Sequence, residues 1–168
     1  MEVMFLMLMY IGIVFTFILG VLLHYTYGWS GRNLVIAFLA PTNESLFEHL
    51  KMLLTPYLIW TLVEYVHYGQ FMHAFIPAKV ISLYLGFGLI LGLYLLYDRF
   101  AANPTVGGKT LIFAIAETCA FVAGEFLMTL TFMDSTALEI IFDVVLVFTV
   151  LVFAAFTVYA PKHWLFQA

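Results

Sequence analysis

The chain has 168 residues, of which 65% are hydrophobic and only 10% are charged. A soluble domain of this size cannot bury so much apolar surface, and ordinary domains carry about 25% charged residues. Composition therefore excludes a cytosolic enzyme and a disordered chain. A net charge of −4 also argues against a basic nucleic-acid-binding module. The class that remains is a multi-spanning protein of the cell membrane, with the lipid bilayer as its first partner and no nucleic acid.

Apolar runs long enough to cross a bilayer recur along the chain, since a span needs about 20 mostly apolar residues. We predict an all-α transmembrane helix bundle, forming one domain over 1–168, with about five spans at 3–23, 51–68, 78–97, 111–131 and 137–160. The apolar piece at 34–40 is too short to cross. It is predicted to be a re-entrant or interfacial helix, or a sixth span if it lies deeper.

The segment before the second span has the pattern of a helix start. Ser45 and Glu48 have the spacing of a capping box, in which each residue satisfies backbone groups near the other. Pro56 lies inside the second span and predicts a kink there. We therefore expect a capped helix entry that continues into the span.

The cations are unevenly distributed over this five-span layout. Only Lys79 falls on one side, and five fall on the other: Arg32, Lys51, Arg99, Lys109 and Lys162. Positively charged loops remain in the cytoplasm. The bias predicts an outside N-terminus and a cytoplasmic C-terminus.

Small residues recur at four-residue steps in two predicted spans. One stripe contains Gly12 and Gly20, and a GxxxG pattern contains Gly88 and Gly92. Such stripes let helix backbones approach closely in lipid. They serve either packing within the chain or a homo-oligomer, and the first is favoured because five helices must pack in any case.

Three carboxylates are predicted to lie at one level, on the outer side of the bilayer midplane: Glu64, Glu125 and Asp143. A carboxylate inside the membrane costs about 2.5–3.5 kcal/mol, so it needs a reason. One hypothesis is a cation or proton pathway with His67 as a further ligand. The other is that protonated acids only specify packing. Glu64 and His67 also have the E-x-x-H spacing of bundle metal sites, but that type of site needs a second copy, which is missing.

A second polar group is predicted at the cytoplasmic side. Four residues there are candidates for acid–base or metal chemistry: His24, Glu44, Glu48 and His49. Three cations are candidates for holding an anionic head group near a helix N-terminus: Lys51, Arg99 and Lys109. The alternative is a capped amphipathic entry helix with solvated charges.

Two segments carry a family resemblance. Residues 22–31 read LLHYTYGWSG, and residues 40–51 read APTNESLFEHLK. They resemble the domain of unknown function 6512 family of small prokaryotic membrane proteins, whose N-E-S-x-x-E-H-L-K core is matched from Asn43 to Lys51. The sequence departs from the family at Ala160, where the family tends to have proline. The resemblance implies a polytopic membrane protein and no particular activity, and it draws weight toward the candidates in these two segments.

Three functions follow from these patterns. The first is a small transporter or channel-like protein that moves a cation or a proton-coupled solute past the three carboxylates. The alternative is an intramembrane enzyme that acts on a lipid or isoprenoid head group at the cytoplasmic face. The third is a non-catalytic accessory subunit. A metal cation is the one cofactor that the residues suggest.

Overall fold

The described part of the chain, residues 2–167 of a computed structural model, is 82% helical with no strands in that range, which confirms the all-α prediction. Within residues 2–167, seven α-helices follow one another: α1 Glu2–Trp29, α2 Leu34–Leu39, α3 Leu46–His49, α4 Lys51–His67, α5 Phe75–Phe100, α6 Val106–Met128 and α7 Thr136–Val158. Three short 3-10 helices, Gly69–Phe71, Thr131–Met133 and Trp164–Phe166, occupy connections and the C-terminal segment.

Four of these helices, α1, α5, α6 and α7, are long and apolar enough to cross a membrane. They correspond to four of the predicted spans, and their ends differ from the predicted ones by one to six residues. The largest gap at a C-terminal end is at α1, which continues for more than a turn beyond 23. The predicted class of a multi-spanning membrane protein therefore agrees with the structure.

Helix α4 corresponds to the remaining predicted span and is shorter than the other four. It has 17 residues, so it extends for about 26 Å, against about 30 Å for a hydrocarbon core. Leu50, which joins α3 to α4, has right-handed helical angles. With α3 and Leu50 included, the helical segment reaches about 33 Å. A fifth crossing by this combined segment stays a prediction.

Pro56 lies inside α4 and changes how α1 packs against it. Proline has no backbone N–H, so the carbonyl of Met52 loses its usual partner one turn on. Gly20 of α1 lies against that carbonyl, and a Cβ at this position would be 2.6 Å from Met52 O and 2.7 Å from the ring of Phe113. Only glycine allows α1 and α4 to approach this closely.

The two glycine stripes have different surroundings. A side chain at Gly12 would collide with Trp60 and Phe121. Gly12 and Gly20 therefore serve packing within the chain, the favoured alternative. A Cβ added at Gly88 or Gly92 would meet no atom of the other described elements within 4 Å, and a homo-oligomer through these glycines stays a prediction.

Large buried side chains fill the centre of the bundle. The core includes Leu53, Tyr57, Trp60, Phe113 and Phe121, each at most 9% exposed. Polar groups lie on either side of this core. We call one side the His24 end, where α1 ends and α3 and α6 begin. The other is the Lys79 end, where α4 ends and α5 begins.

Candidate functional site

Three side chains converge at the His24 end, and we call them the His24–Glu44–His49 cluster. One ligand atom from each lies within 4.8 Å of the others. His24 Nε2 is 3.7 Å from Glu44 Oε1, and His49 Nε2 is 3.5 Å from Glu44 Oε2. These distances are too long for hydrogen bonds. They are close to the separation of about 3.4 Å between two ligands of a tetrahedral zinc ion with bonds of about 2.1 Å.

The orientation of His49 suits a metal ligand. Its Nδ1 lies 2.8 Å from the carbonyl oxygen of Ser45. A carbonyl only accepts, so Nδ1 carries the proton and Nε2 presents its lone pair toward Glu44. The neutral imidazole is the form that binds metals. His24 Nδ1 is buried without a hydrogen-bond partner among residues 2–167.

Glu44 belongs to a loop that Glu48 and Lys51 hold in place. Glu48 Oε2 accepts from Thr42 N at 2.7 Å, Thr42 Oγ1 at 2.9 Å and Lys51 Nζ at 2.8 Å. Lys51 also donates to the carbonyl of Ala37 in α2 at 2.9 Å. Lys51 is 0% exposed and Glu48 is 4% exposed. Their polar atoms therefore fix the loop from inside. A catalytic role for Glu48 and head-group binding by Lys51 stay predictions.

The predicted capping box forms with a different partner. Ser45 Oγ accepts from Glu48 N at 3.4 Å, as the motif requires. The side chain of Glu48 does not return to Ser45, whose N–H instead donates to Asn43 Oδ1 at 2.9 Å. The side chain of Glu48 instead accepts a hydrogen bond from Thr42 N. Glu48 therefore fixes a longer stretch of the loop, and this stretch holds Glu44 beside the two histidines.

Two cavities adjoin the cluster, and His24 and Glu44 line both. The larger has a volume of about 440 Å³ and includes Arg32 in its wall. The smaller has about 120 Å³ and is lined also by His49 and Lys109. Each cavity therefore has one cation in its wall, Arg32 or Lys109, and either can hold an anion beside the cluster.

The three predicted head-group cations have different positions. Lys109 lies in the wall of the smaller cavity, 3.1 Å from Asp98. Arg99 is exposed and lines neither cavity, and Lys51 is buried in the loop. Sequence reasoning missed Arg32, which has a φ of 63° and follows Gly31 at 69°. The sequence signal for this position was Gly31. Glycine often ends a helix in the left-handed conformation and so sets the direction in which the chain continues to the next residue.

The acids at the Lys79 end meet around a lysine, and we call Glu64, Lys79 and Glu125 the Lys79 cluster. Lys79 Nζ lies 2.7 Å from Glu64 Oε2 and 3.3 Å from Glu125 Oε1. The hydroxyl of Tyr68 donates to the same Glu125 oxygen at 3.3 Å. Lys79 is 2% exposed. Sequence reasoning brought the two acids together but missed their counter-ion, although Lys79 was the only cation assigned to that side.

Asp143 and His67 do not join the Lys79 cluster. Asp143 lines a groove formed with residues of α4 and α5, together with Glu139. His67 is exposed, and its Nδ1 lies 2.7 Å from the carbonyl of Val63. Glu64 instead contacts Lys79. The structure therefore does not bring Glu64 and His67, the metal candidates of the E-x-x-H spacing, to a common point.

The comparisons with known proteins identify a family but no activity. The family model DUF6512, described as a family of unknown function, matches residues 4–168, nearly the whole chain. No curated protein and no solved structure matches.

Proposed function

We propose that this chain, which belongs to the DUF6512 family, is a membrane-embedded, metal-dependent enzyme that acts on the anionic head group of an amphiphile. The observation that carries the proposal is the convergence of one ligand atom each from His24, Glu44 and His49 within 4.8 Å. Two imidazoles and one carboxylate form the donor set of many catalytic zinc sites, which keep a fourth position for water. The proposal adopts the second of the three functions predicted from the sequence.

The surroundings of the cluster support a phosphorylated head group. Arg32 and Lys109 line the two cavities that meet at His24 and Glu44, and such cations hold phosphate by charge-assisted hydrogen bonds. In hydrolysis of a phosphate ester, the oxygen of one polarised water bonds to phosphorus. The bond from phosphorus to the lipid alcohol breaks, and a proton from that water ends on the alcohol oxygen.

The distribution of cations supports a cytoplasmic His24 end. Lys79 is buried against Glu64 and Glu125, so the cation assigned to the opposite side is neutralised within the protein. Among the described residues, the cations that reach the surface lie toward the His24 end: Arg32, Arg99, Lys109 and Lys162. By the positive-inside rule, this arrangement favours a cytoplasmic C-terminus and, if α4 crosses, an outside N-terminus.

A transport pathway past Glu64, Glu125 and Asp143 has less support. Lys79 already pairs with the first two acids, and Asp143 lies apart from them in a groove. Tyr57, Trp60 and Phe121 are buried between the Lys79 end and the His24 end. For this reason we give the enzyme precedence over the transporter and the accessory subunit.

The metal content of the purified protein tests the proposal. The chain is purified in detergent, incubated with zinc, and freed of unbound ion before elemental analysis. We expect about one zinc per chain in the wild type, and a loss of at least tenfold in affinity in Glu44→Gln and His49→Gln. His67→Gln is the matched control, because His67 is an exposed histidine at the opposite end. Equal zinc content in all variants would overturn the metal site.

A second measurement tests the reaction. Phosphate release is followed from vesicles that contain phosphatidic acid or an isoprenyl monophosphate, with zinc, manganese or chelator present. We expect release that needs both the ion and Glu44, and a lower affinity for lipid phosphate in Lys109→Gln. Metal binding without release from any phosphorylated lipid would retain the site and contradict the enzyme. Ion flux that is lost in Glu125→Gln would favour the transporter.

A further inference from the structure

A groove beside α7 is a second candidate binding site, separate from the His24–Glu44–His49 cluster. It lies between α4, α5 and α7 and has a volume of about 490 Å³, within the range of small-molecule sites. Most of its wall is aliphatic, from residues such as Leu58, Leu146 and Leu151. Two carboxylates, Glu139 and Asp143, line the same groove. We propose that this groove binds a cationic amphiphile, a molecule with a protonated amine and an aliphatic body.

Charge complementarity selects the amine. Glu139 already has a partner, because its Oε2 lies 2.6 Å from His73 Nδ1. Asp143 has no ion pair with any residue between 2 and 167. It lies about 10 Å along α7 from Thr136, inside the predicted fifth span, where an unpaired carboxylate is costly. A protonated amine in the groove supplies the missing positive charge.

An aromatic ring in the wall of the groove suits the same ligand. Thr61 also lines the groove and is 7% exposed, but its Oγ1 is itself buried and does not reach a ligand there. The ring of Tyr65 lies in the same wall and offers a cation–π contact to an ammonium group.

The order of residues along α7 fits an amphiphile. The carboxylates come first, at Glu139 and Asp143, and aliphatic residues follow as far as Leu151, about 12 Å further along the helix. An amine near the carboxylates therefore places its chain along the aliphatic part, toward the bilayer centre. A second copy of this chain fits less well, because Lys79, the cation at this end, is already buried between two acids.

Saturation binding of dodecylamine tests the site in the intact protein. The chain is reconstituted in lipid nanodiscs, and binding of radiolabelled dodecylamine is measured after subtraction of empty discs. We expect one saturable site whose affinity falls at least tenfold in Asp143→Asn and about threefold in Tyr65→Leu, which removes the cation–π contact. Asp134→Asn is the matched control, because Asp134 is an exposed aspartate outside the groove.

Dodecanol separates a charge effect from a damaged fold. Its binding should be the same in the wild type and Asp143→Asn, while Val147→Trp, which fills the groove, should remove both ligands. Equal loss of dodecylamine and dodecanol in Asp143→Asn, or equal amine binding in both proteins, would overturn the proposal. So would cross-linking of Val147→Cys to another polypeptide without saturable amine binding, because a partner helix would then occupy the groove. Zinc content should be unchanged in all these variants, so that failure here is distinct from failure of the metal site.

Discussion

The His24 end and the Lys79 end hold similar side chains in opposite states. At the Lys79 end, the ammonium of Lys79 lies 2.7 Å from Glu64 and 3.3 Å from Glu125, so the acids find their counter-charge within the chain. At the His24 end, two imidazoles and the carboxylate of Glu44 stand 3.5 and 3.7 Å apart beside two cavities. An intramembrane acid whose charge is paired within the chain contributes to the stability of the fold. Ligand atoms that converge beside a cavity are instead placed to bind an ion from outside.

Loss of the buried lysine should have the largest effect. Lys79→Met leaves Glu64 and Glu125 without their cation, and breaking a buried ion pair typically costs about 3–5 kcal/mol. We expect a large decrease in thermal stability in detergent, with partial recovery in the double variant Lys79→Met/Glu64→Gln. Lys162→Met, an exposed lysine, is the control. If the Lys79→Met protein were as stable as the wild type, the pairing of Lys79 with the two acids would not stabilise the fold. Glu64 and Glu125 would then again be candidates for an ion pathway.

Removal of the loop lock should affect both stability and metal binding. Glu48→Gln removes the carboxylate charge that pairs with buried Lys51 and that accepts the hydrogen bonds from Thr42. We expect the free energy of unfolding to fall by about 1.5–3 kcal/mol. Because this lock presents Glu44, we also expect zinc affinity to fall about 10–100-fold. Glu139→Gln, the same exchange at the other end, should leave zinc affinity unchanged. Unaltered zinc affinity in Glu48→Gln would mean that Glu44 reaches the histidines without the lock.

A change in helix packing should have a smaller effect. Gly20→Ala places a Cβ against Met52 O and Phe113, and overpacking of this kind costs about 1–3 kcal/mol. Gly20 is one turn before His24, so zinc affinity should fall as α1 moves away from α4. Gly88→Ala is the control, since Gly88 has open space around it among the described residues. Thermal unfolding and zinc titration of both variants check this prediction, and equal behaviour of the two would contradict it.

The pH dependence of His73 should give the smallest effect. The hydrogen bond to Glu139 and the charge of that carboxylate raise the pKa of His73. A raised pKa in the folded state means that the contribution to stability is fully present below the ordinary pKa of about 6.5. It is lost as the pH rises through the folded-state value. The difference in melting temperature between the wild type and His73→Gln should therefore shrink from pH 5 to pH 9, and a constant difference would contradict the pairing.

The helices were largely predictable because their signal is local. Long apolar runs determine α1, α5, α6 and α7, and the capping residue Ser45 marks the start of α3. The ends of α4 were also predicted to within one residue, at 51–68 against Lys51–His67, but the surroundings of its polar residues were not predictable. Its apolar run is interrupted by Lys51 and Glu64, and burial of these two side chains depends on Ala37 and Lys79, which lie far away in sequence.

The candidate site was predictable in composition but not in geometry. His24, Glu44, Glu48 and His49 were all candidates, and nothing in their spacing separates the three that converge from Glu48, which turns inward to Lys51. That choice depends on which backbone N–H groups the loop leaves unsatisfied. The pairing of Lys79 with two acids was equally hidden, because it joins residues from three helices.

Anomalous diffraction from crystals soaked in zinc would locate the ion itself. We expect one strong peak at the His24 end, within about 2.0–2.2 Å of His24 Nε2, His49 Nε2 and one oxygen of Glu44. We expect no peak beside Glu64 and Glu125, since Lys79 occupies the space between them. A peak at the Lys79 cluster, or none at the His24–Glu44–His49 cluster, would contradict the metal site.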